Sequence, residues 1–426
     1  MTVSKYSSRL AASLTMIGVA VGLGNVWRFP YMMGSNGGSA FLFIYLAFTL
    51  LFAIPALMAE MAVGKNNPGG TVTAFESLFN GIWGRLLGYL LVSVVTIAGS
   101  YYAVVVANVW YTAGFSLLNG FAKENIEGFN YSLADGVLQY LLTILIIIIC
   151  LWVVLLGLKK GIQRISTIIM PFFVLSILYM IGYAWTLPNA INEVITFITP
   201  DFTQINATNI FAALGQAFFS LGLGGTFVIV YSGYLSENQS IGKIALYTGL
   251  GDLGSSVLVS LFIVPAILVF GLEMNAGPSL IFNTLPELFG VMPAGRWIGT
   301  LFLVSLGLVA LLSLIAAFQV PLKSLKFRGV SNIQMIGGFG LLQIILAAPS
   351  AFYPEIIGPL DLVFGSGMQV FGSMMVVIGV FYGVNSMKYK SVIPYAHTSF
   401  VKAWLKSVIP LTLLAVLLGY LYANFS

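Results

Sequence analysis

Two short runs of small residues carry the chemistry available to this chain of 426 residues. The first reads Gly18-Val-Ala-Val-Gly22-Leu-Gly24-Asn25 and the second Ser220-Leu-Gly222-Leu-Gly224-Gly225-Thr226. Each glycine weakens a helix interior by about 1 kcal/mol relative to alanine, so both runs favour a local break. Where a membrane helix breaks, freed carbonyls can face a cation, and the N-terminus of the resumed half favours a carboxylate. The chemistry is that of holding a zwitterion beside a cation without a charged side chain. Tight helix packing across small residues is the alternative for either run taken alone. Two acids, Glu60 and Asp252, also lie in apolar surroundings, where an ionisable group marks function by default. A satisfied structural acid is the alternative for Asp252.

The elements that must position these residues are membrane helices. The chain is 59% hydrophobic and only 7% charged, too few charges to cover a soluble surface of this length. Apolar stretches of roughly 20 residues, each able to cross ~30 Å of hydrocarbon, recur along the whole chain. Spans are expected near residues 10–33, 39–63, 86–118, 136–157, 165–186, 207–234, 241–272, 294–320, 332–348, 359–384 and 403–424. The expected fold is an all-α polytopic membrane protein of about eleven transmembrane helices. The two glycine runs fall in spans 1 and 6, each opening a block of five. That is the pattern of a 5+5 inverted repeat with broken helices 1 and 6. The first repeat would be 10–186, the second 207–384, and 403–424 an added helix.

Charge sets an expected orientation. With the N-terminus inside, Lys5, Arg9, Lys65, Arg85, Lys159, Lys160, Arg164, Lys243, Lys323 and the basic residues near the C-terminus lie on the inner side. Lys123 and Arg296 fall outside, and Arg28 sits at the outer end of span 1. An odd number of spans places the C-terminus outside, in a multi-pass plasma-membrane protein. The first apolar stretch runs into Arg28-Phe29-Pro30 without a small-residue cleavage site, so no cleavable signal is expected. Residues 273–293, broken by Gly277-Pro278 and Pro286, read as an outer lid of one or two short helices, with a plain connecting loop as the alternative. Cys150 is the only cysteine and His397 the only histidine. Without clustered nucleophiles or metal ligands an enzyme is not expected, and neither is a nucleic-acid partner. The sequence leaves the oligomeric state open.

The run VGLGNVWRFPY (21–31), followed by NGGSAF (36–41), resembles the first-helix signature of the neurotransmitter:sodium symporters. AVGK after Glu60, FFSLGLG (218–224) and AGPSLIFNTLPELF (276–289) are similar to further stretches of that family. The resemblance implies an amino acid whose carboxylate meets the backbone of Leu23 and Gly24 and the Tyr102 hydroxyl. Its ammonium would meet carbonyls of Ala20, Phe219 and Ser220. Gly22 stands where monoamine carriers of the family have an aspartate, which implies a solute bringing its own carboxylate. Val19, Ala98, Gly222, Gly225, Ser313 and Ala317 would surround its side chain, and their small size favours a large hydrophobic or aromatic one.

By the same resemblance, a first sodium ion (Na+) would use Ala20, Asn25 and Ser220, and a second Gly18, Val21, Val309 and Ser313. Two positions depart from the family. Leu312 stands where a threonine is usual, and a gap-free alignment puts Gly251, beside Asp252, where a sodium-binding asparagine is usual. Asp252 could ligate sodium itself or carry a proton instead. Tyr45, Gln216, Ser220 and Ser255 match a chloride (Cl−) quartet, although hydroxyls also serve helix packing and Asp252 nearby argues against an anion. Arg28 and Asp361 would pair as an outer gate above Tyr102 and Phe219. Glu60 would satisfy amides freed at the breaks. The inner gate lacks the family's acid, leaving Lys5, Arg9 and Tyr234 at that end. The expected function is sodium-coupled amino-acid symport by alternating access. A proton-coupled or uncoupled transporter of the same fold is the alternative, and a ligand-sensing receptor a more distant one.

Overall fold

The computed structural model describes residues 4–36, 38–272, 280–325, 329–393 and 398–425. Among these residues all regular structure is helical. Nine helices are long and apolar enough to cross a membrane: Ser39–Asn66, Gly81–Leu118, Gly136–Leu155, Leu158–Ala184, Ile241–Val269, Gly295–Ser324, Asn332–Phe352, Pro354–Tyr382 and Phe400–Gly419. Arg9–Ala20 and Gly24–Ser35 form a further span, bent by 72°. Ala207–Ser220 and Phe227–Ser232 form another, also interrupted. In chain order these are spans 1 to 11, the interrupted ones being 1 and 6.

Polar caps mark where several apolar segments become helices. Ser8 accepts from the Ala11 amide, Asp135 from those of Val137 and Leu138, and Asn206 from that of Asn209. Ser331 closes a capping box with Gln334. These side chains satisfy the first-turn N–H groups that a helix cannot pair by itself. Span 5 begins earlier than hydropathy suggests, because a π turn at Leu158–Gln163 winds Lys159 and Lys160 into the helix. Spans 3 and 10 likewise begin at Gly81 and Pro354, about a turn before the apolar run. Backbone hydrogen bonding outlasts the hydrophobic signal at these ends.

Span 1 is enclosed by spans 5, 7 and 8, span 8 lies along span 3, and span 2 crosses both halves of span 6. Span 4 shows what the outside of the bundle faces. Leu141, Leu145, Ile148 and Trp152 stand exposed at three- and four-residue spacing. Such a continuous apolar stripe would be unfavourable in water and suits lipid. Of the expected outer lid, residues 273–279 lie outside the described residues. The remainder contains one short helix, Thr284–Val291, with Leu285 and Phe289 buried.

Candidate functional site

The two breaks differ in construction. Span 1 leaves the helix at Val21, whose φ of −67° and ψ of 122° are extended, and resumes in a π turn at Gly24–Arg28. Span 6 needs left-handed backbone: φ is +61° at Gly222 and +72° at Gly225, a region that side chains disfavour. In span 1 the glycines serve close approach instead. A Cβ on Gly22 would lie 2.9 Å from Ser313 Oγ and 3.4 Å from the Tyr102 hydroxyl, and one on Gly24 2.8 Å from the Phe219 ring. Side chains satisfy the freed backbone. Asn25 Oδ1 accepts from the Gly22 amide at 2.9 Å, and Ser313 donates to the Val21 carbonyl at 3.0 Å. Glu60 accepts from the Gly224 amide at 2.9 Å and the Gly225 amide at 3.1 Å.

Between the breaks lies a cavity of about 920 Å³. Its wall includes Ala20, Gly22, Leu23 and Gly24 from span 1, and Phe219, Ser220 and Gly222 from span 6. Val19, Ala98, Tyr102, Ser313 and Ala317 complete the expected set around a bound solute. Gly225 is the exception. It lies away from the cavity against Phe75 and Val376, and Phe227 lines the wall instead. The reason is geometric, since the left-handed turns at Gly222 and Gly225 reverse the direction in which residues past Gly224 face.

Behind span 1 sits a buried polar cluster. Asn25 Nδ2 donates to Asp252 Oδ1 at 2.7 Å and contacts Ser220 Oγ and Ser256 Oγ at 3.0 Å each. Ser220 donates to Asp252 Oδ2 at 2.7 Å. Asp252 thus fills the place that gap-free alignment gave to Gly251, which instead faces Ile17. The same offset of one residue corrects the chloride quartet. Ser256 stands at Asn25, whereas Ser255 donates to the Gly251 carbonyl of its own helix. The Tyr45 hydroxyl lies beside Ser220, Ser256, Thr49 and Asp252, while both amide atoms of Gln216 are buried without hydrogen-bond partners. Sodium fits this cluster, because carboxylate, hydroxyl and freed carbonyl oxygens are hard ligands. Tyr45 and the unpaired Gln216 amide could serve an anion, but the Asp252 carboxylate already lies beside Tyr45. At the second expected ion position Gly18 meets Leu312, a Cβ on Gly18 lying 3.0 Å from it. Val309, buried, lies one turn before Ser313.

Toward the expected outer face, the Arg28 guanidinium stacks over the Phe219 ring at 3.9 Å and donates to Ser366 at 3.1 Å. Asp361, expected opposite Arg28, accepts from Tyr101 at 3.2 Å, a partner that was not anticipated from the sequence. The cavity continues past these groups to Asn130, Ile281, Asn283 and Pro354. The opposite end is closed. Lys5 Nζ donates to the Gly233 and Leu235 carbonyls at 3.1 and 2.8 Å, and the Tyr6 amide to the Tyr234 carbonyl at 3.1 Å. Partial burial lowers the Lys5 pKa and Glu237 opposes that effect. Tyr234 accepts from Gln319 at 2.7 Å, and Lys323, not an N-terminal cation, lies over its ring at 5.2 Å. Carbonyls therefore take the role for which an acid was sought.

A sequence profile of the Sodium:neurotransmitter symporter family matches residues 4–125 and 120–424. The chain is similar to the uncharacterized sodium-dependent transporter YhdH of Bacillus subtilis, 31% identical over 321 residues, 74% of this chain and 71% of that one. It is similar over a shorter region to the sodium-dependent neutral amino acid transporter B(0)AT1 of Rattus norvegicus: 30% over 271 residues, 55% of this chain and 42% of the relative. Among solved structures, MhsT in complex with L-phenylalanine superposes with a TM-score of 0.88, at 28% identity, covering 98% of this chain and all of that one (100%). With a profile matching nearly end to end on a bundle whose first and sixth spans break around one cavity, the chain belongs to the sodium:neurotransmitter symporter family.

Proposed function

We propose that this protein is a sodium-coupled symporter of a neutral amino acid with a large hydrophobic or aromatic side chain, working by alternating access. The observation that carries the reading is the uncharged cradle at Gly22-Leu23-Gly24, backed by the Asp252, Asn25 and Ser220 cluster. Backbone amides and the Tyr102 hydroxyl would take the carboxylate, and carbonyls of Ala20, Phe219 and Ser220 the ammonium. The bound L-phenylalanine of MhsT and the neutral amino acids in the name of B(0)AT1 support this substrate class. Sodium at Ala20, Asn25, Ser220 and Asp252 would be held by three neutral oxygens and one charge. In our reading Asp252 makes chloride unnecessary. The second ion position keeps Gly18, Val21, Val309 and Ser313 but gains the apolar Leu312, so we assign one tightly coupled sodium. With Lys5 inside, the cavity opens outward and its closed end is cytoplasmic. The halves 10–186 and 207–384 would rock as the two repeats.

Proton coupling through Asp252 is the second reading, favoured by the carboxylate being fully buried with neutral donors, Asn25 and Ser220, hydrogen-bonded to it. Uptake of labelled amino acids into proteoliposomes separates the two. Sodium-coupled uptake disappears when potassium replaces sodium and persists when gluconate replaces chloride. Uptake that survives without sodium and follows an imposed pH gradient would transfer the coupling to protons.

A further inference from the structure

One polar side chain in the wall of the cavity has no role in the scheme above. Gln369 of span 10 lines the cavity, yet its Oε1 is buried without a hydrogen-bond partner. Ser313 is committed to the Val21 carbonyl, Ser220 to Asp252, and Asn25 to Ser220, Asp252 and Ser256, whereas Asn108 Oδ1, also in the cavity wall, is unpaired as well. A buried amide oxygen left unpaired is unfavourable and calls for an explanation.

The fold places Gln369 there deliberately. Span 10 carries a π turn at Asp361–Gly367, and its Asp361, Gly365, Ser366 and Gln369 line the cavity. Span 10 then presses directly on the break in span 6, where a Cβ on Gly224 would lie 3.2 Å from Gln369 Cα. The freed amides of that break belong to Gly224, against which Gln369 packs, and to Gly225. Glu60 takes both, at Gly224 and Gly225. The break is thus satisfied from one side by the glutamate, and the glutamine on the other side is left for something inside the cavity.

We propose that Gln369 determines substrate specificity by accepting a hydrogen bond from the side chain of the transported amino acid, an aromatic one whose ring carries a donor, an indole N–H or a phenol O–H. The proposal rests on the amino-acid reading and narrows it. The surrounding wall of Ala98, Gly222, Phe227 and Ala317 is apolar and suits a ring. A single acceptor in such a wall discriminates mainly between rings that can donate and rings that cannot.

The test compares binding of L-tyrosine, L-tryptophan, L-phenylalanine, L-leucine and L-glutamine to the purified full chain in sodium. The measurement is repeated for Gln369→Leu, with sodium-dependent thermal stabilisation reporting that the variant is folded. Gln369→Met replaces it where the leucine variant is not. The wild type should prefer tyrosine or tryptophan over phenylalanine, and the substitution should reduce that preference about five- to tenfold, the worth of one ordinary hydrogen bond. A substitution that shifts all three aromatic amino acids by the same factor overturns the inference and leaves the amino-acid reading standing. So does tightest binding of glutamine, which would make the group read an aliphatic amide. A wild type that binds none of the panel overturns the amino-acid reading itself, and the inference with it.

Discussion

Replacing Asp252 by asparagine keeps the shape of the buried cluster and removes its charge. The carboxylate accepts from Asn25 and Ser220 at 2.7 Å each, so a sodium ion bound among these groups would lie within roughly 4 Å of it. At that separation and an effective dielectric near 20, the attraction is about 4 kcal/mol. The asparagine returns part of this through its own carbonyl, and the variant avoids burying a charge when no cation is bound. A net loss of about 2 kcal/mol remains, or roughly a 30-fold rise in the half-saturating sodium concentration. Sodium titration of labelled L-phenylalanine binding, at constant ionic strength and fixed pH, measures it. The reasoning is refuted if Asp252→Asn leaves the half-saturating sodium within threefold of wild type. Should the variant lose pH dependence while keeping its sodium response, Asp252 carries a proton and sodium binds elsewhere.

The other predictions concern the breaks and the closed end. Gly22→Ala puts a methyl 2.9 Å from Ser313 and 3.4 Å from the Tyr102 hydroxyl, between the groups that would frame the carboxylate. Amino-acid binding should weaken at least about tenfold, and undiminished binding would remove the cradle from this position. Glu60→Gln leaves one acceptor for two amides at 2.9 and 3.1 Å. An unpaired buried amide costs about 1–3 kcal/mol, so the melting temperature in detergent should fall, and an unchanged one would show that the break is held otherwise. Lys5→Met removes two bonds to the Gly233 and Leu235 carbonyls. Hydrogen exchange over residues 4–8 and 231–235 should speed up about tenfold, as expected for a partly exposed latch worth about 1–2 kcal/mol. Exchange as slow as in wild type would mean that the tyrosines hold this end by themselves.

What could be read from sequence divides along a physical line. The spans were legible because burial in lipid demands long apolar runs, and the breaks because glycine clusters in such runs are unfavourable unless the backbone departs from helix. Helix ends were displaced by up to about two turns, as at Leu158, because hydropathy reports the surroundings of side chains while helices end where hydrogen bonding does. Positions inside the site were legible only where chain order fixes direction. Leu23, Gly24 and Asn25 share one uninterrupted segment, and all three line the cavity. Past the left-handed turns of span 6, counting residues no longer gives facing, so Gly225 was expected in the wall that Phe227 occupies.

The one-residue offset in span 7 has a similar origin and a larger consequence. A rotation of about 100° per residue separates Gly251 from Asp252, so the two cannot both face Asn25. Counting inward from one fixed point chose the glycine, which meets Ile17, whereas the chemistry of the cluster selects the acid. A charged residue at that place changes the electrostatics of the whole site. Tyr45 lies beside this carboxylate, together with Ser220 and Ser256, and the Gln216 amide is buried without a hydrogen-bond partner. In the proposed scheme the Asp252 carboxylate, and not a mobile anion, would balance a sodium ion at the break. The proposed cation site and the proposed substrate site share Ser220, which touches Asp252 on one side and the cavity on the other. Occupation of one site should then reorganise a side chain that the other requires, which is the physical basis on which sodium and amino acid would bind cooperatively.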